Sequence, residues 1–415
     1  MVNYHNFRLT GKLKIDGELF SLLNGISGNT IEILPYTFNR LFANCSQITS
    51  APKLSSKKIV DGMYYSLFQN CTSLTTAPEL PSTTLADYCY QYMFKGCTSL
   101  TTAPKLPATI LNEYCYTSMF AECTSLIKAP KLPATTLDGY CYNSMFDGCT
   151  SLIKAPELPA TTMKNYCYAY MFKGCTSLTT APKLPATTLA TGCYSYMFSD
   201  CYSLKSQPEL NAEILTNGCY GHMFSNCSSL TETVSLQSTA LESNCYYEMY
   251  LNCRLLTSAT SLPATTMKSF CYYGMFKGCY NLITPPDLPS TTLESSCYEN
   301  MFFGCRSLEQ APIISATTLA TRSCYQMFCG CSAITSVELN AETLVDGCYN
   351  YMLMYCTNLN NIKAMFLTTP SSTYTDQWVY SVSPTGTFIK NAAAEWTDTG
   401  ISSIPTGWTI QTASQ

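Results

Sequence analysis

The residues with which this chain could do nucleophilic or metal chemistry are its 25 cysteines and its two histidines, His5 and His222. Twelve cysteines recur every 26 residues without a slip, and we call them the trailing series: Cys45, Cys71, Cys97, Cys123, Cys149, Cys175, Cys201, Cys227, Cys253, Cys279, Cys305 and Cys331. A leading series precedes it by eight residues with the same spacing: Cys89, Cys115, Cys141, Cys167, Cys193, Cys219, Cys245, Cys271 and Cys297. Such regularity is typical of packing positions rather than of one reactive centre.

The pattern gives no support to catalysis or to metal binding. A Cys-His nucleophile built from His222 would take its thiol from a buried column, where a thiolate is disfavoured. A closed zinc site needs four convergent nitrogen or sulfur ligands, and Cys329 and Cys331, in C-x-C spacing, are the nearest approach to such a motif. No Ser-His-Asp pattern or glycine-rich phosphate loop occurs either. We therefore predict a protein that is not an enzyme, with no catalytic residue, metal or cofactor.

A fixed 26-residue period predicts a solenoid, in which each repeat is one coil stacked on the next. In the coil Leu85–Pro107, the residues Tyr90, Met93, Phe94 and Cys97 share one face of a helical wheel with Cys89. The extended run that follows contains Pro104 and Pro107, which permit only a short strand. The sequence thus predicts an α+β, leucine-rich-repeat-like solenoid of about 13 coils, each with one short helix and one short parallel strand.

The cysteines are expected to be free and buried. A chain of 415 residues can build a core without disulfide staples, and an odd count leaves at least one thiol unpaired within a monomer. Equivalent positions in stacked coils also lie within the range for vertical disulfides, so geometry leaves that alternative open. The residue before each trailing cysteine, and before Cys356, is mostly Gly or Asn, which favours a left-handed backbone there; Glu122 and Tyr355 are exceptions.

Both ends depart from the period, as the caps of a solenoid must. Residues 1–30 alternate like a β-hairpin and are predicted to be an N-terminal β cap. Residues 31–360 form the solenoid, and residues 361–415, with all three tryptophans, are predicted to be a C-terminal β cap whose core those tryptophans fill.

The composition limits the classes of partner that the protein could bind. A formal net charge of -4 and the absence of a Lys/Arg run argue against nucleic-acid binding. No segment reaches the roughly 18 apolar residues of a membrane span, so we predict no membrane insertion. The N-terminal residues show no signal peptide.

The repeat C-Y-x-x-M-F-x-G-C-x-S-L-x-x-A-P-x-L-P-A-T-T-L resembles the BspA-like leucine-rich repeat family over roughly residues 31–360. Cys89, Met93-Phe94, Cys97-Thr98-Ser99-Leu100 and Leu106-Pro107 occupy the places of the family pattern. The chain departs from that pattern by using Cys and Met where the family often has Ile and Ala, and by a slightly longer repeat.

The resemblance implies a recognition or adhesion module that binds a cell-surface or host glycan or protein. Family members of this kind include bacterial and protist surface proteins and phage-encoded proteins. We expect a virion appendage, such as a phage tail-fibre or receptor-binding component, which fits the absence of a leader, or a cell-surface or extracellular protein. A structural spacer or assembly protein and a secreted bacterial or protist adhesin are the alternatives.

Outward positions of the predicted helices carry the candidate binding residues. Two columns, one beginning at Tyr88 and one at Gln91-Tyr92, are expected to face solvent, and rigid phenols suit sugars or a protein partner. The alternative is that tyrosines of adjacent coils only cover each other. The candidate ligand-binding residues are Tyr88, Tyr92, Tyr114, Tyr140, Tyr166, Tyr170, Tyr196 and His222.

Overall fold

The computed structural model describes residues 11–23 and 33–413, which divide into two compact units, Met1–Pro208 and Glu209–Gln415. Within each unit the coils are joined by parallel bridges between residues 26 apart. In the first unit these bridges connect Ser50, Thr76, Thr102, Lys128, Lys154, Thr180 and Ser206 in turn. In the second unit they connect Glu232, Ser258 and Thr284. The predicted stacking of 26-residue coils is therefore present in both units.

Regular strands occur near the chain ends. In the first unit, β1 (Leu13–Lys14) pairs in parallel with β2 (Ile48–Ser50). In the second unit, four parallel strands lie in chain order: β3 (Ser336–Leu339), β4 (Asn361–Ala364), β5 (Thr387–Lys390) and β6 (Thr409–Thr412). The coils between them contribute single bridges, because their prolines lack the N–H groups that a longer ladder needs.

The predicted helix in each coil is wrong. The described residues contain no α-helix, and their one helical element is a 3-10 helix, Leu19–Leu22. Residues 88–97 instead form consecutive turns, in which the N–H groups of Gln91, Met93, Lys95 and Cys97 each bond to the carbonyl three residues earlier. We call this segment, with its equivalents in other coils, the turn ribbon.

The alternate N–H groups of the turn ribbon join neighbouring coils. Tyr90 donates to the Cys115 carbonyl at 3.0 Å, and Phe94 donates to the Met119 carbonyl at 2.9 Å. An α-helix satisfies its N–H groups within its own segment. The turn ribbon divides them between its own turns and the next coil, so it holds the stack together as a strand would.

Left-handed residues recur at every fourth position of the turn ribbon. In one coil these are Tyr88 (φ 58°), Tyr92 (φ 58°) and Gly96 (φ 72°). A positive φ at the third residue of a turn is the requirement of type II geometry. The predicted left-handed position before the trailing cysteine is confirmed, and its two exceptions, Glu122 and Tyr355, adopt it as well. The other two positions in each coil were not predicted.

Side chains of equivalent residues form columns in the core of each unit. Stacked phenylalanines follow one another at ring-centroid distances of 5.5 to 5.8 Å in the first unit, from Phe42 to Phe198. A buried tyrosine column, which includes Tyr90, Tyr116 and Tyr142, runs beside it with spacings of 5.7 to 5.8 Å. The inward direction predicted for Tyr90, Met93, Phe94 and Cys97 is confirmed.

All 25 cysteines are free and buried, which confirms that prediction. Thiols of the trailing series donate to a phenylalanine or tyrosine carbonyl of the preceding coil: Cys97 Sγ lies 3.1 Å from the Phe68 oxygen, and Cys279 Sγ lies 3.1 Å from the Tyr250 oxygen. Burial raises the pKa of Cys71 and of Cys123 to about 12. The thiols therefore serve as small apolar side chains with one weak hydrogen-bond donor.

The two ends continue the stacking. Strand β1 pairs in parallel with β2 and not with a hairpin partner, so the described part of the predicted N-terminal cap is a partial coil; residues 1–10 and 24–32 lie outside the described residues. In the second unit, Leu353 N–H donates to the Trp378 carbonyl at 2.9 Å, as in a turn ribbon. As predicted, three tryptophans are buried there: Trp378, Trp396 and Trp408. They lie in further coils of the stack.

Candidate recognition surface

All eight candidate binding residues occupy left-handed positions of the turn ribbon, with φ between 53° and 58°. All are half-buried. Four belong to the first left-handed position of their coils, which we call the outer column: Tyr88, Tyr114, Tyr140 and Tyr166. The other four belong to the second position, the middle column: Tyr92, Tyr170, Tyr196 and His222.

The outer column of the first unit is a continuous stack of phenol rings. Tyr88 and Tyr114 lie 5.0 Å apart, Tyr114 and Tyr140 4.6 Å, and Tyr140 and Tyr166 5.0 Å, with interplanar angles of 19° or less. Neighbouring rings do cover each other's faces. A ligand therefore meets the ring edges and hydroxyl groups, and not the faces inside the stack.

Glycine ends this stack. The ring of Tyr166 lies over Gly192, where an added Cβ would be 2.3 Å from Tyr166 Cε1. Gly192 also has a φ of 58°. Glycine at position 192 adopts the left-handed backbone without strain, and its missing side chain leaves room for the Tyr166 ring.

Stacking offsets the backbone strain of the outer column. A non-glycine residue in the left-handed region costs about 1–2 kcal/mol. An aromatic pair contributes about 0.5–1.5 kcal/mol beyond its area burial. Three stacked pairs therefore offset part of the strain of four left-handed residues and hold the four phenols in one orientation.

The middle column is interrupted. Tyr170 and Tyr196 stack at 4.7 Å, and the Lys173 ammonium lies 5.8 Å from the Tyr170 ring centroid. Tyr92 makes an edge contact with Tyr65 at 5.6 Å instead. Ser118 and Ser144 occupy the two intervening coils, so the structure does not bring Tyr92 into the Tyr170 stack.

His222 is the one candidate in the second unit. Its Nδ1 lies 3.4 Å from Glu248 Oε2, and its ring lies 5.0 Å from that of Tyr247. Burial lowers the pKa of His222 to about 4, and burial also raises the pKa of Glu248. The imidazole is therefore neutral at pH 7, so it can form a hydrogen bond with a ligand without carrying a charge.

The prediction for Gln91 is wrong, because this residue is buried. Its counterpart Thr117 and the adjacent Ser118 are buried as well. Successive side chains rotate differently in a turn ribbon and in a helix. Gln91 and Tyr92, which share the outer face of a helical wheel, therefore differ in burial here. Tyr36 and Tyr65, which sequence reasoning missed, lie at the start of the same surface.

Burial under neighbouring rings raises the pKa of Tyr114, and the nearby Tyr140 and Glu113 raise it further. Its hydroxyl is therefore protonated over the physiological range, and it can both donate and accept hydrogen bonds. Across residues 11–23 and 33–413, no cluster of three or more His, Cys, Asp or Glu side chains could hold a metal ion. Nor does a helix in that part of the chain have the length and apolar character to cross a membrane.

Stacked coils with parallel strands and a leucine at fixed places define a repeat solenoid of the leucine-rich type. The family model for the BspA type leucine rich repeat region (6 copies) matches residues 26–153, 140–283 and 271–375. The chain belongs to this family, as its repeat pattern predicted.

The matches among solved structures include the following two. One is a leucine-rich repeat protein from Bacteroides ovatus ATCC 8483, 18% identical, with a TM-score of 0.46 over 74% of this chain and 76% of that chain. The other is the TLR13-ssRNA13 complex, 14% identical, with a TM-score of 0.26 over 92% of this chain and 50% of that chain. At these values neither says what this chain binds. No curated protein matches the sequence.

Proposed function

We propose that the protein is a non-catalytic recognition or adhesion module that presents the outer column to a cell-surface glycan or protein. The observation that carries the proposal is the stack of four half-buried phenols on a strained but fixed backbone. Rigid aromatic side chains with a polar tip bind at low entropic cost. Membership of the BspA type repeat family supports a binding role.

The geometry of the stack favours particular contacts. Because ring faces are covered, the partner must supply groups that hydrogen-bond to phenol hydroxyls, such as sugar hydroxyls or a polypeptide backbone. Equivalent hydroxyls recur at intervals of one coil, so a partner with a repeating structure can engage several together. We place the module on a virion appendage or a cell surface.

A structural spacer is the second candidate, and exposed apolar residues favour it. Ile127 and Ile153 occupy equivalent positions of adjacent coils, and each is 53% exposed. An apolar pair of this kind suits packing against a neighbouring subunit. A monomeric mass in solution supports recognition, whereas an oligomer that buries this edge supports the spacer.

Replacement of Tyr114 and Tyr140 by Ser together tests the recognition function. We expect the wild-type protein to bind selectively on a glycan array or to cells, and the double variant to bind about tenfold more weakly or worse, because two hydroxyl contacts and their rigid support are lost. Tyr355→Ser is the matched control, since Tyr355 is also left-handed and in contact with a tyrosine ring, but lies outside the outer column. Unchanged binding by the double variant, or a wild-type protein without a selective partner, refutes the proposal.

A further inference from the structure

The stretch of each coil that carries the parallel bridges differs in charge between the two units. We call the exposed side chains four to eight residues after each trailing cysteine the bridge face. In the first unit it has seven lysines and two glutamates: Lys53, Lys105, Lys128, Lys131, Lys154, Lys183 and Lys205, with Glu79 and Glu157. In the second unit it has five carboxylates and no lysine: Glu209, Glu232, Asp287, Glu309 and Glu338. The first unit therefore has a basic bridge face and the second an acidic one.

Two lysines of the basic bridge face lie directly beside each other. Lys128 and Lys154 form a parallel bridge, at a position where the other coils of the first unit have Ser or Thr. Like charges opposite each other in paired strands are destabilising. Among the described residues, no carboxylate forms an ion pair with a lysine of this face. Within one copy of the chain the repulsion is therefore not offset, whereas an acidic partner would offset it.

Both bridge faces also combine a depression with exposed apolar side chains. A depression of about 430 Å³ is lined by Lys128, Lys131, Lys154 and Glu157, and one of about 500 Å³ by residues that include Ile313 and Glu338. Ile127 and Ile153 on the basic face are each 53% exposed, and Ile283 and Ile313 on the acidic face are 50% and 71% exposed. Exposed apolar residues with charged neighbours are typical of a protein interface. A polyanion would pair with the lysines but would leave these isoleucines in water.

We infer that the basic bridge face of one copy of this chain docks on the acidic bridge face of a second copy. The two faces belong to the same part of the 26-residue coil, so their charges recur at the same interval and several pairs can form together. Glu338 already pairs with Lys363 at 2.6 Å. Asp287 and Glu309 are therefore the carboxylates that we expect to meet the lysines of the second copy.

This docking goes beyond the recognition proposal, and it names the neighbouring subunit that the spacer requires. The outer column belongs to the turn ribbon and not to the bridge face, so its phenols are not part of the contact. Self-association through the bridge faces is therefore compatible with presentation of the outer column to another partner.

Sedimentation velocity of the full chain, from about 1 to about 200 µM, tests the docking. We expect the mass to rise with concentration above that of the monomer. Because oppositely charged faces attract through solvent, the association should weaken at least about tenfold between about 0.05 and about 0.5 M NaCl.

Two double variants reverse charges on one face each. Lys128→Glu with Lys154→Glu changes the basic face, and Asp287→Lys with Glu309→Lys changes the acidic face. We expect each variant alone to associate at least about tenfold more weakly than wild type. An equimolar mixture of the two should associate again, because the first variant retains an unchanged acidic face and the second an unchanged basic face.

Lys57→Glu with Lys58→Glu is the matched control. It makes the same change in net charge, and both lysines are exposed in the first unit but lie outside the bridge face. We expect this variant to associate like wild type. All six substituted residues are exposed, so thermal melts of the three variants should match that of wild type.

Several results would overturn the docking. These are a wild-type protein that stays monomeric over the whole range, an equal loss of association in the control, and a mixture that associates no better than its components. Retention of a monomeric wild type on heparin, lost in the Lys128 and Lys154 variant, would assign the basic face to an anionic polysaccharide instead. The recognition proposal is judged separately, because the Tyr114 and Tyr140 variant leaves both bridge faces unchanged.

Discussion

Under reducing conditions the protein is expected to lose its structure within about one to two pH units above pH 9. Burial raises the pKa of seven thiols from 9.0 to about 12: Cys71, Cys89, Cys123, Cys167, Cys219, Cys271 and Cys279. Other buried thiols, such as Cys97, are raised further. In the unfolded chain these groups ionise near their ordinary pKa, whereas in the folded protein they stay protonated.

The sign of the effect follows from proton binding. Above pH 9 the unfolded state binds fewer protons than the folded state, so the free energy of unfolding falls as pH rises toward the folded pKa values. Each thiol contributes a slope of about 1.4 kcal/mol per pH unit, so the four in the first unit contribute about 6 and the three in the second unit about 4, and the thiols that are raised further add to both. Domain stabilities are of order 5–15 kcal/mol, so this slope alone removes them within one to two units.

Urea unfolding followed by near-ultraviolet circular dichroism at pH 7, 8, 9 and 10, with a phosphine reductant, measures this slope. The triple variant with Cys71, Cys89 and Cys123 replaced by Ala is the control. It is less stable at pH 7, but its dependence on pH above 9 should be shallower by about 4 kcal/mol per pH unit. A protein that remains folded at pH 11, or a triple variant with an unchanged slope, would contradict the buried thiol columns.

Phe120→Ala is expected to destabilise its unit by about 3–5 kcal/mol. Phe120 is fully buried, and its ring stacks between those of Phe94 at 5.6 Å and Phe146 at 5.8 Å. Truncation leaves a cavity in the middle of the column, because the adjacent coils are held by backbone hydrogen bonds and cannot collapse into it. Urea unfolding at pH 7 gives the change in the free energy of unfolding.

Tyr114→Ala is the matched control for that variant. Tyr114 also loses two stacked neighbours, Tyr88 and Tyr140, but it is half-buried on the surface. We expect a cost of about 1–3 kcal/mol, the value of the two ring contacts alone. Equal costs for the two variants would mean that the phenylalanine column is no more buried than the outer column.

The sequence was sufficient to predict the columns, because a 26-residue period places the same side chain at the same point of every coil. Cys97, Phe94 and Tyr90 lie in the core as the pattern indicated. The left-handed position before each trailing cysteine was also predictable, since Gly and Asn recur there.

The helix was not distinguishable from the turn ribbon by periodicity. Left-handed residues four apart, such as Tyr88, Tyr92 and Gly96, return to the same side of the ribbon, much as residues four apart do in a helix. Tyrosine and serine occupy two of these positions, and neither residue type indicates a left-handed backbone. The continuation of the coils beyond residue 361 was hidden because Trp378 and its neighbours replace the Cys and Met pattern.

The candidate surface was predictable in its residues but not in its geometry. Tyrosines at 26-residue intervals predicted an aligned ribbon, and Tyr88 to Tyr166 form one. The placement of the Tyr36 ring over Gly62 was not predictable, because it depends on the direction in which that ring leans. Sequence spacing alone carries no information about that direction.

Ser144 offers the most direct test of the turn ribbon, because it lies in the middle of the segment that a helix would occupy and has a φ of 54°. The measurement is the difference in the free energy of unfolding between Ser144→Gly and Ser144→Ala. Both variants lose the hydroxyl that donates to Asn143 Oδ1 at 2.9 Å, so that contact cancels. Because Ser144 is left-handed, we expect the glycine variant to be more stable than the alanine variant by about 1 kcal/mol. An alanine variant more stable by about 1 kcal/mol, as in a helix interior, would contradict this account of the fold.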